Sequence, residues 1–170
     1  MTEDDKQTKN LDDMMASSDT GARNPQGSVG RYSLLVIPLL WSLYQLWIAS
    51  PLPFELGIAV WNDTQTRAIH LAFAVLLAFI AYPTFTRSAR DRIPLQDWGL
   101  GLIGAGASAY IWLFYAQIAE RTGLPSTADV VIAAIGIVLL LEAARRSLGF
   151  PLMAVAGIFL LYVFFGSSPL

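Results

Sequence analysis

Five apolar segments constrain this chain more than any other feature of its sequence. They lie at residues 32–50, 68–85, 98–118, 130–144 and 150–165. A helix needs about 20 residues, within a working range of about 17–25, to cross the roughly 30 Å hydrocarbon core of a bilayer. The first three segments meet that length. The fourth, with 15 residues, meets it only if its helix includes flanking polar residues, and the fifth has 16 residues.

The absence of charge along two segments argues against a soluble helical bundle, whose helices carry an apolar stripe opposite a charged face. Residues 71–82 and 130–141 contain no charged side chain. The whole chain is 55% hydrophobic and 14% charged, whereas about a quarter of the residues in a soluble domain are charged. The sequence therefore predicts an all-α integral membrane protein, with four transmembrane helices and a fifth, connector helix.

Three regions follow from this pattern. Residues 1–31 are polar and rich in Asp, Ser, Thr and Gly, so they cannot bury enough apolar surface to offset the entropy lost on ordering. We expect a disordered cytoplasmic tail there, a four-helix membrane domain over residues 32–147, and a connector helix with the chain end over residues 148–170. The tail has no apolar core and does not resemble a secretory signal.

Arginine residues flank the segments unevenly, and cytoplasmic flanks of membrane helices are enriched in Lys and Arg. We therefore predict a multi-pass inner-membrane protein in contact with lipid, with a cytoplasmic N-terminus. The C-terminus lies outside if all five segments span. The flanks on the predicted cytoplasmic side hold seven arginines and the opposite flanks hold two: Arg23, Arg31, Arg87, Arg90, Arg92, Arg145 and Arg146 against Arg67 and Arg121.

The composition excludes several functions. The chain has no cysteine and one histidine, so disulfides, thiolate zinc sites and iron–sulfur clusters are excluded. The formal net charge of −2 arises in residues 1–31, which hold four basic and six acidic side chains. The charge balance therefore gives no reason to expect a nucleic-acid partner. No catalytic set or metal motif appears, and we expect neither an enzyme nor a bound cofactor or metal.

His70 lies near the front of the second segment, after Asp63 and Arg67. It could carry a proton, bind a metal, or form the polar start of a helix. With Asn62, Asp63 and Thr64 as capping candidates, its position within about one turn of water favours an interfacial or interhelical hydrogen bond. A proton or substrate role stays open because ionisable groups inside membranes are often functional. Asp63, Arg67 and His70 are the candidate contact residues on the outer face.

Glu142 is the other ionisable residue within an apolar run. It precedes Arg145 and Arg146 by three and four residues, a spacing that lets side chains meet on one helix face. We interpret this as a structural pairing, with a regulatory or ion-path role as the alternative. On the inner face, the candidate contact residues are Arg87, Arg90, Asp91 and Arg92.

Small residues in the third segment predict close helix packing, which membrane helices achieve through such surfaces. Gly101, Ala105 and Ser108 share one helix face. No Lys-Ser/Thr follows, so this is not a phosphate-binding loop. Before the fourth segment, Thr127 is the candidate N-cap.

Four stretches together resemble the start of a known transporter family. Their succession and spacing are similar to the fused permeases of TRAP transporters, of the type with four plus twelve helices that works with a TAXI-class extracytoplasmic binding protein. The resemblance covers about residues 32–167. The stretches are WSLYQLWIASPLPFELGI, NDTQTRAIHLAFAVLLAFIAYP, RSARDRIPLQDW and LEAARRSLGFPLMAVAGIFLLYVFFG.

The resemblance implies a small four-helix region beside a large twelve-helix permease. Together with a periplasmic binding protein, they would perform Na⁺-driven uptake of an organic carboxylate anion. The substrate and Na⁺ sites of that family belong to the large domain, so no site residue is carried over to this chain. Because the sequence ends at FFGSSPL, where the family continues, we expect a separate subunit, a split gene or a truncated product.

Two alternative functions stay open. One is the small subunit of another tripartite carboxylate transporter, and the other is a membrane scaffold or assembly protein without a transport role. A neighbouring reading frame for a twelve-span protein would favour a transporter. An adjacent secreted binding protein would separate the transporters from the scaffold.

Overall fold

A computed structural model describes residues 22–85 and 90–166, without the side chain of Phe164. These residues form helices and no β-strand, which confirms the all-α class for the described part of the chain. Residues 1–21 of the expected tail, and Arg87 of the inner-face candidates, lie outside the described residues. The helices are α1 (Ser28–Ala49), α2 (Leu52–Leu56), α3 (Asp63–Ala81), α4 (Leu95–Leu113), α5 (Tyr115–Glu120), α6 (Thr127–Leu148) and α7 (Phe150–Phe165).

Three of these helices, α1, α3 and α6, are long and apolar enough to cross a membrane. They correspond to the first, second and fourth predicted segments, which agrees with the prediction of a membrane protein. The helices of the third and fifth predicted segments do not meet the same criteria of length and hydropathy. Helix α4 contains Gln96 and Asp97 and is diluted by glycines, and α7 has 16 residues.

Capping boxes set the starts of α3 and α6. The Asn62 side chain accepts from the Gln65 backbone N–H, and Ser126 does the same for Asp129. In each case the third helical residue reaches back to the cap, so two otherwise unpaired N–H groups are satisfied. Helix α3 therefore begins at Asp63, and its N-cap is Asn62, one of the three predicted capping candidates. The N-cap of α6 is Ser126, and the expectation of Thr127 was wrong by one residue.

The third predicted segment is not one continuous helix. Helix α4 ends at Leu113. The next residue, Phe114, has a backbone outside the helical region at φ −107° and ψ 20°, and the short helix α5 follows it. A second break separates α6 from α7. There Gly149 adopts φ +86°, a conformation that residues with a Cβ rarely take, and Pro151 lies in the first turn of α7.

Helix α3 forms the centre of the packing, against α1, α4 and α6. Phe79 and Ile80 are fully buried, and Phe79 joins Val75 in a cluster with Leu139 and Ala143 of α6. Helix α1 contributes no buried residue. Its leucines face outward along its length, including Leu35, Leu39, Leu43 and Leu46.

Residues 22–27, which we call the N-terminal strap, lie across the end of α3 and the loop that follows it. The backbone N–H of Arg23 donates to Ala81 O over 2.7 Å, and that of Asn24 donates to Arg90 O over 3.0 Å. The N–H of Gln26 donates to Asp91 O over 2.8 Å. Helix α1 begins at Ser28, within the region predicted as the tail (residues 1–31). Among the described residues of that region, the strap is bound to the bundle by these hydrogen bonds.

Candidate functional site

Asp97 lies in the first turn of α4 and holds two arginines from distant parts of the chain. Nη1 of Arg146, in α6, donates to Asp97 Oδ1 over 2.9 Å. Nη2 of Arg23, in the strap, donates to Asp97 Oδ2. The Asp97 side chain is 4% exposed and the two arginine side chains are 0–1% exposed. One carboxylate thus joins the strap, α4 and α6.

Glu142 extends this group into an ion-pair network, which we define as Arg23, Asp97, Glu142, Arg145 and Arg146. Arg145 donates to both oxygens of Glu142 over 2.7 Å, and Arg146 Nε donates to Oε1 over 2.8 Å. These contacts have the i+3 and i+4 spacing that suggested the pairing.

Three further contacts fix the network to α3 and to the residues that follow its C-terminal end. The guanidinium carbon of Arg146 lies 4.5 Å from the centroid of the Phe79 ring, within the range of a cation–π interaction. Arg23 Nη1 donates to Phe79 O over 3.2 Å, and Arg145 Nη2 donates to Thr84 O over 3.0 Å. The network therefore contacts every long helix of the core: α3, α4 and α6.

The network carries three positive and two negative charges. Buried charges gain little net stability from pairing, but removing one partner leaves an uncompensated charge and costs about 3–5 kcal/mol. The arrangement therefore makes helix packing depend on all its members. The sequence analysis did not predict that Asp97 and Arg23 belong to this network. For Asp97 the signal in the sequence was an acidic residue at the start of an apolar helix.

The small-residue face of α4 lies against α3. Gly101, Gly104 and Ser108 are buried, whereas Ala105 is half-buried. A Cβ at Gly104 would lie 2.6 Å from Val75 Cγ1, and one at Gly101 would lie 3.2 Å from side-chain atoms of α3. A Cβ at Gly104, which the sequence analysis did not single out on this face, would thus meet α3 more closely than one at Gly101.

His70 joins α3 to α1. Its Nδ1 accepts from Trp41 Nε1 over 3.3 Å and faces Gln45 Nε2. The Trp41 and His70 rings meet edge to face with centroids 4.9 Å apart. The side chain is exposed in the isolated chain, and the contact is an interhelical one.

The other predicted contact residues lie on the surface. Asp63 and Arg67 form an exposed pair with Arg67 Nη2 2.9 Å from Asp63 Oδ2. Arg90, Asp91 and Arg92 are exposed, and the backbone carbonyls of the first two accept hydrogen bonds from the strap. Within residues 22–85 and 90–166, no three His, Asp or Glu side chains lie close enough to hold a metal ion.

At the opposite end of the bundle, Asp129 joins α4 to the start of α6. Its Oδ1 accepts from Tyr110 Oη over 2.6 Å, and its Oδ2 accepts from the Ser126 N–H over 2.8 Å. Arg121 Nη2 lies 3.6 Å from the same carboxylate. This carboxylate is therefore satisfied from three sides.

Comparison of the chain with models of known protein families, with curated proteins and with solved structures finds no match. Its functional assignment therefore rests on its own residues and geometry.

Proposed function

We propose that α1, α3, α4 and α6 cross the cell inner membrane, that α7 is a fifth span, and that the N-terminus is cytoplasmic. The support is the distribution of arginines. The strap, the loop after α3 and the end of α6 meet at one end of the bundle, and that end marks the cytoplasmic side by its excess of arginine. It carries Arg23, Arg90, Arg92, Arg145 and Arg146, whereas the other end carries Arg67 and Arg121.

Helix α4 fits this topology despite its modest hydropathy. Its 19 residues correspond to about 28 Å of helix at 1.5 Å per residue, close to the thickness of the hydrocarbon core. Its one charged residue, Asp97, is neutralised inside the bundle. Gly101 and Gly104 lie against α3 rather than lipid, so their lack of an apolar side chain does not reduce the contact of α4 with lipid.

We infer that the chain is the small integral-membrane component of a TRAP-type secondary transporter. It supports a large twelve-helix permease that takes up an organic carboxylate anion with Na⁺, delivered by a TAXI-type extracytoplasmic binding protein. The substrate and Na⁺ sites belong to the large domain. The resemblance of residues 32–167 to such permeases supports this proposal.

One structural observation favours a supporting role for this chain over a substrate-binding role. The charged side chains Asp97, Glu142, Arg145 and Arg146 neutralise one another at one end of the bundle and hold helices together. Secondary transporters bind substrate near the midplane, through polar groups exposed where helices break. Here the charges are committed to internal pairs, which suits a rigid support.

Affinity purification of the tagged full-length chain from its native membranes tests this function. We expect mass spectrometry of the mild-detergent eluate to identify a large multi-span permease, absent from an untagged control. Deletion of the gene should abolish Na⁺-dependent uptake of the carboxylate, and its reintroduction should restore it. Recovery of partners that include no permease, with uptake unaffected by the deletion, would favour the scaffold function instead.

A further inference from the structure

Three exposed arginines lie at the same end of the bundle as the ion-pair network, and we call them the arginine patch: Arg31, Arg90 and Arg92. Among residues 22–85 and 90–166, no carboxylate lies within ion-pair distance of their guanidinium groups. The arginines of the network, in contrast, are paired inside the bundle. The patch therefore holds cations that the fold itself does not neutralise.

Backbone contacts bring the members of the patch to one place. The N-terminal strap, which leads directly into α1, binds the loop of Arg90 through two backbone hydrogen bonds. A Cβ at Gly30 would lie 3.4 Å from Ile93 Cδ1, so the start of α1 lies against the same loop. Arg31 follows Gly30 and Arg92 precedes Ile93. The three arginines thus surround the line where the loop meets α1.

Positive charge is in excess around the patch. Asp91 is the one acidic residue of residues 90–94, and the first turn of α1 contains none. The described residues at this end hold six arginines and three acidic side chains: Arg23, Arg31, Arg90, Arg92, Arg145 and Arg146 against Asp91, Asp97 and Glu142. Such a distribution gives a positive surface potential, which attracts an anion.

The position of Arg31 along α1 indicates where that anion comes from. The 22 residues of α1 correspond to about 33 Å of helix, close to the roughly 30 Å thickness of the hydrocarbon core. Arg31 is one turn below the exposed Leu35, so it lies where hydrocarbon gives way to headgroups, and its long side chain can extend into the headgroup layer. A lipid phosphate lies at this depth, whereas a soluble phosphate stays in the water outside.

We propose that the arginine patch binds the headgroup of an anionic phospholipid in the cytoplasmic leaflet. The phosphate pairs with Arg31 and Arg92, and Arg90 adds to the attraction from the loop. A headgroup with a net negative charge is favoured over a zwitterionic one, because an ammonium group is repelled by the same positive potential. The site rests on the proposed membrane topology and is independent of a transport role.

Native mass spectrometry of the full chain in mild detergent, with equal amounts of phosphatidylglycerol and phosphatidylethanolamine, tests the site. Both lipids carry a phosphate, but only phosphatidylglycerol has a net negative charge. Because each Lys or Arg near the surface of an anionic membrane strengthens binding roughly fivefold, we expect phosphatidylglycerol to be retained roughly tenfold or more over phosphatidylethanolamine.

Three double variants identify the residues that set this preference. Arg31→Gln with Arg92→Gln should reduce the preference roughly tenfold or more. Arg31→Lys with Arg92→Lys keeps both charges and should retain most of it. Arg67→Gln with Arg121→Gln is the matched control, because it removes the same charge at the opposite end of the bundle, and it should leave the preference unchanged.

Several results would overturn the proposal. One is equal retention of the two lipids by the unmodified chain, and another is an equal preference in the two Gln double variants. Release of phosphatidylglycerol by inorganic phosphate at constant ionic strength would assign the patch to a soluble anion instead. Retention of phosphatidylglycerol only after the six acidic residues within residues 1–21 are changed to amides would assign it to that segment.

Two further measurements separate the lipid site from the topology and from folding. Recovery of the unmodified chain in the membrane fraction of cells tests the topology without reference to lipid type, and its absence there would refute the basis of the site. Thermal unfolding in detergent should be the same for the unmodified chain and for Arg31→Gln with Arg92→Gln, since both side chains are exposed. A lost lipid preference with unchanged unfolding then supports the headgroup site.

Discussion

Arg146 of α6 donates to Asp97 of α4 over 2.9 Å, and both side chains are almost completely buried. Asp97 also pairs with Arg23. Loss of the Asp97 carboxylate charge therefore leaves two buried guanidinium groups without this partner. We predict that Asp97→Asn destabilises the fold by about 3–5 kcal/mol, measured by thermal or chemical unfolding in detergent. Asp63→Asn is the matched control: its pair is exposed, and the loss should be about 1 kcal/mol or less. Equal effects of the two substitutions would contradict a structural role for the network.

Replacement of Arg23 should release the strap. Arg23→Gln removes a guanidinium bonded to Asp97 and to Phe79 O, at an expected loss of about 1.5–3 kcal/mol. We expect hydrogen–deuterium exchange at the Asn24 and Gln26 amides to increase. Arg31→Gln, at an exposed position in α1, should leave exchange at both amides unchanged. Equal hydrogen–deuterium exchange at these amides in the two variants would show that Arg23 does not anchor the strap.

Two glycines of α4 provide a direct test of helix approach. Gly104→Ala forces a Cβ to within 2.6 Å of Val75 Cγ1, and we predict destabilisation of about 1–3 kcal/mol by overpacking. Gly106→Ala meets no atom within 4 Å and should be neutral or stabilise by up to about 1 kcal/mol, because alanine favours helix. Unfolding midpoints in detergent measure both. A neutral Gly104→Ala would show that α3 and α4 lie farther apart.

His70→Ala should leave membrane insertion and partner recovery intact. The substitution removes the acceptor for Trp41 Nε1 and the contact with Gln45, an interhelical term of about 1–2 kcal/mol at most. Cell fractionation, co-purification and an uptake assay measure the outcome. Loss of uptake with normal assembly would refute the interhelical interpretation and indicate a proton or substrate role.

The sequence could predict contacts that are local in the chain and not those that are distant. Glu142 and its two arginines stand three and four residues apart, so helical periodicity alone brings them together. Asp97 is 49 residues from Arg146 and 74 from Arg23. Those contacts arise from tertiary packing, which no periodicity encodes.

The presence of the helices could also be predicted, because apolar runs are local in the sequence. The apolar runs did not show where the helices begin and end. The apolar pattern begins after the polar cap residues, so helix starts depended on the capping candidates. Asn62 was such a candidate and is the N-cap of α3, whereas the candidate Thr127 lies one residue after Ser126, the N-cap of α6. Ala105 and Gly104 differ by one position along α4. The one-face pattern favoured Ala105, but Gly104 is the buried residue of the two, and a Cβ there would lie 2.6 Å from Val75 Cγ1.

The ion-pair network also bears on biogenesis in the proposed topology. Membrane insertion responds to individual Lys and Arg side chains and little to Asp or Glu. We therefore expect Arg145 and Arg146 to help keep the end of α6 on the cytoplasmic side during insertion. In the folded bundle, Arg146 also binds the buried Asp97 of α4. Arg146 thus serves both to orient α6 in the membrane and to hold it against α4.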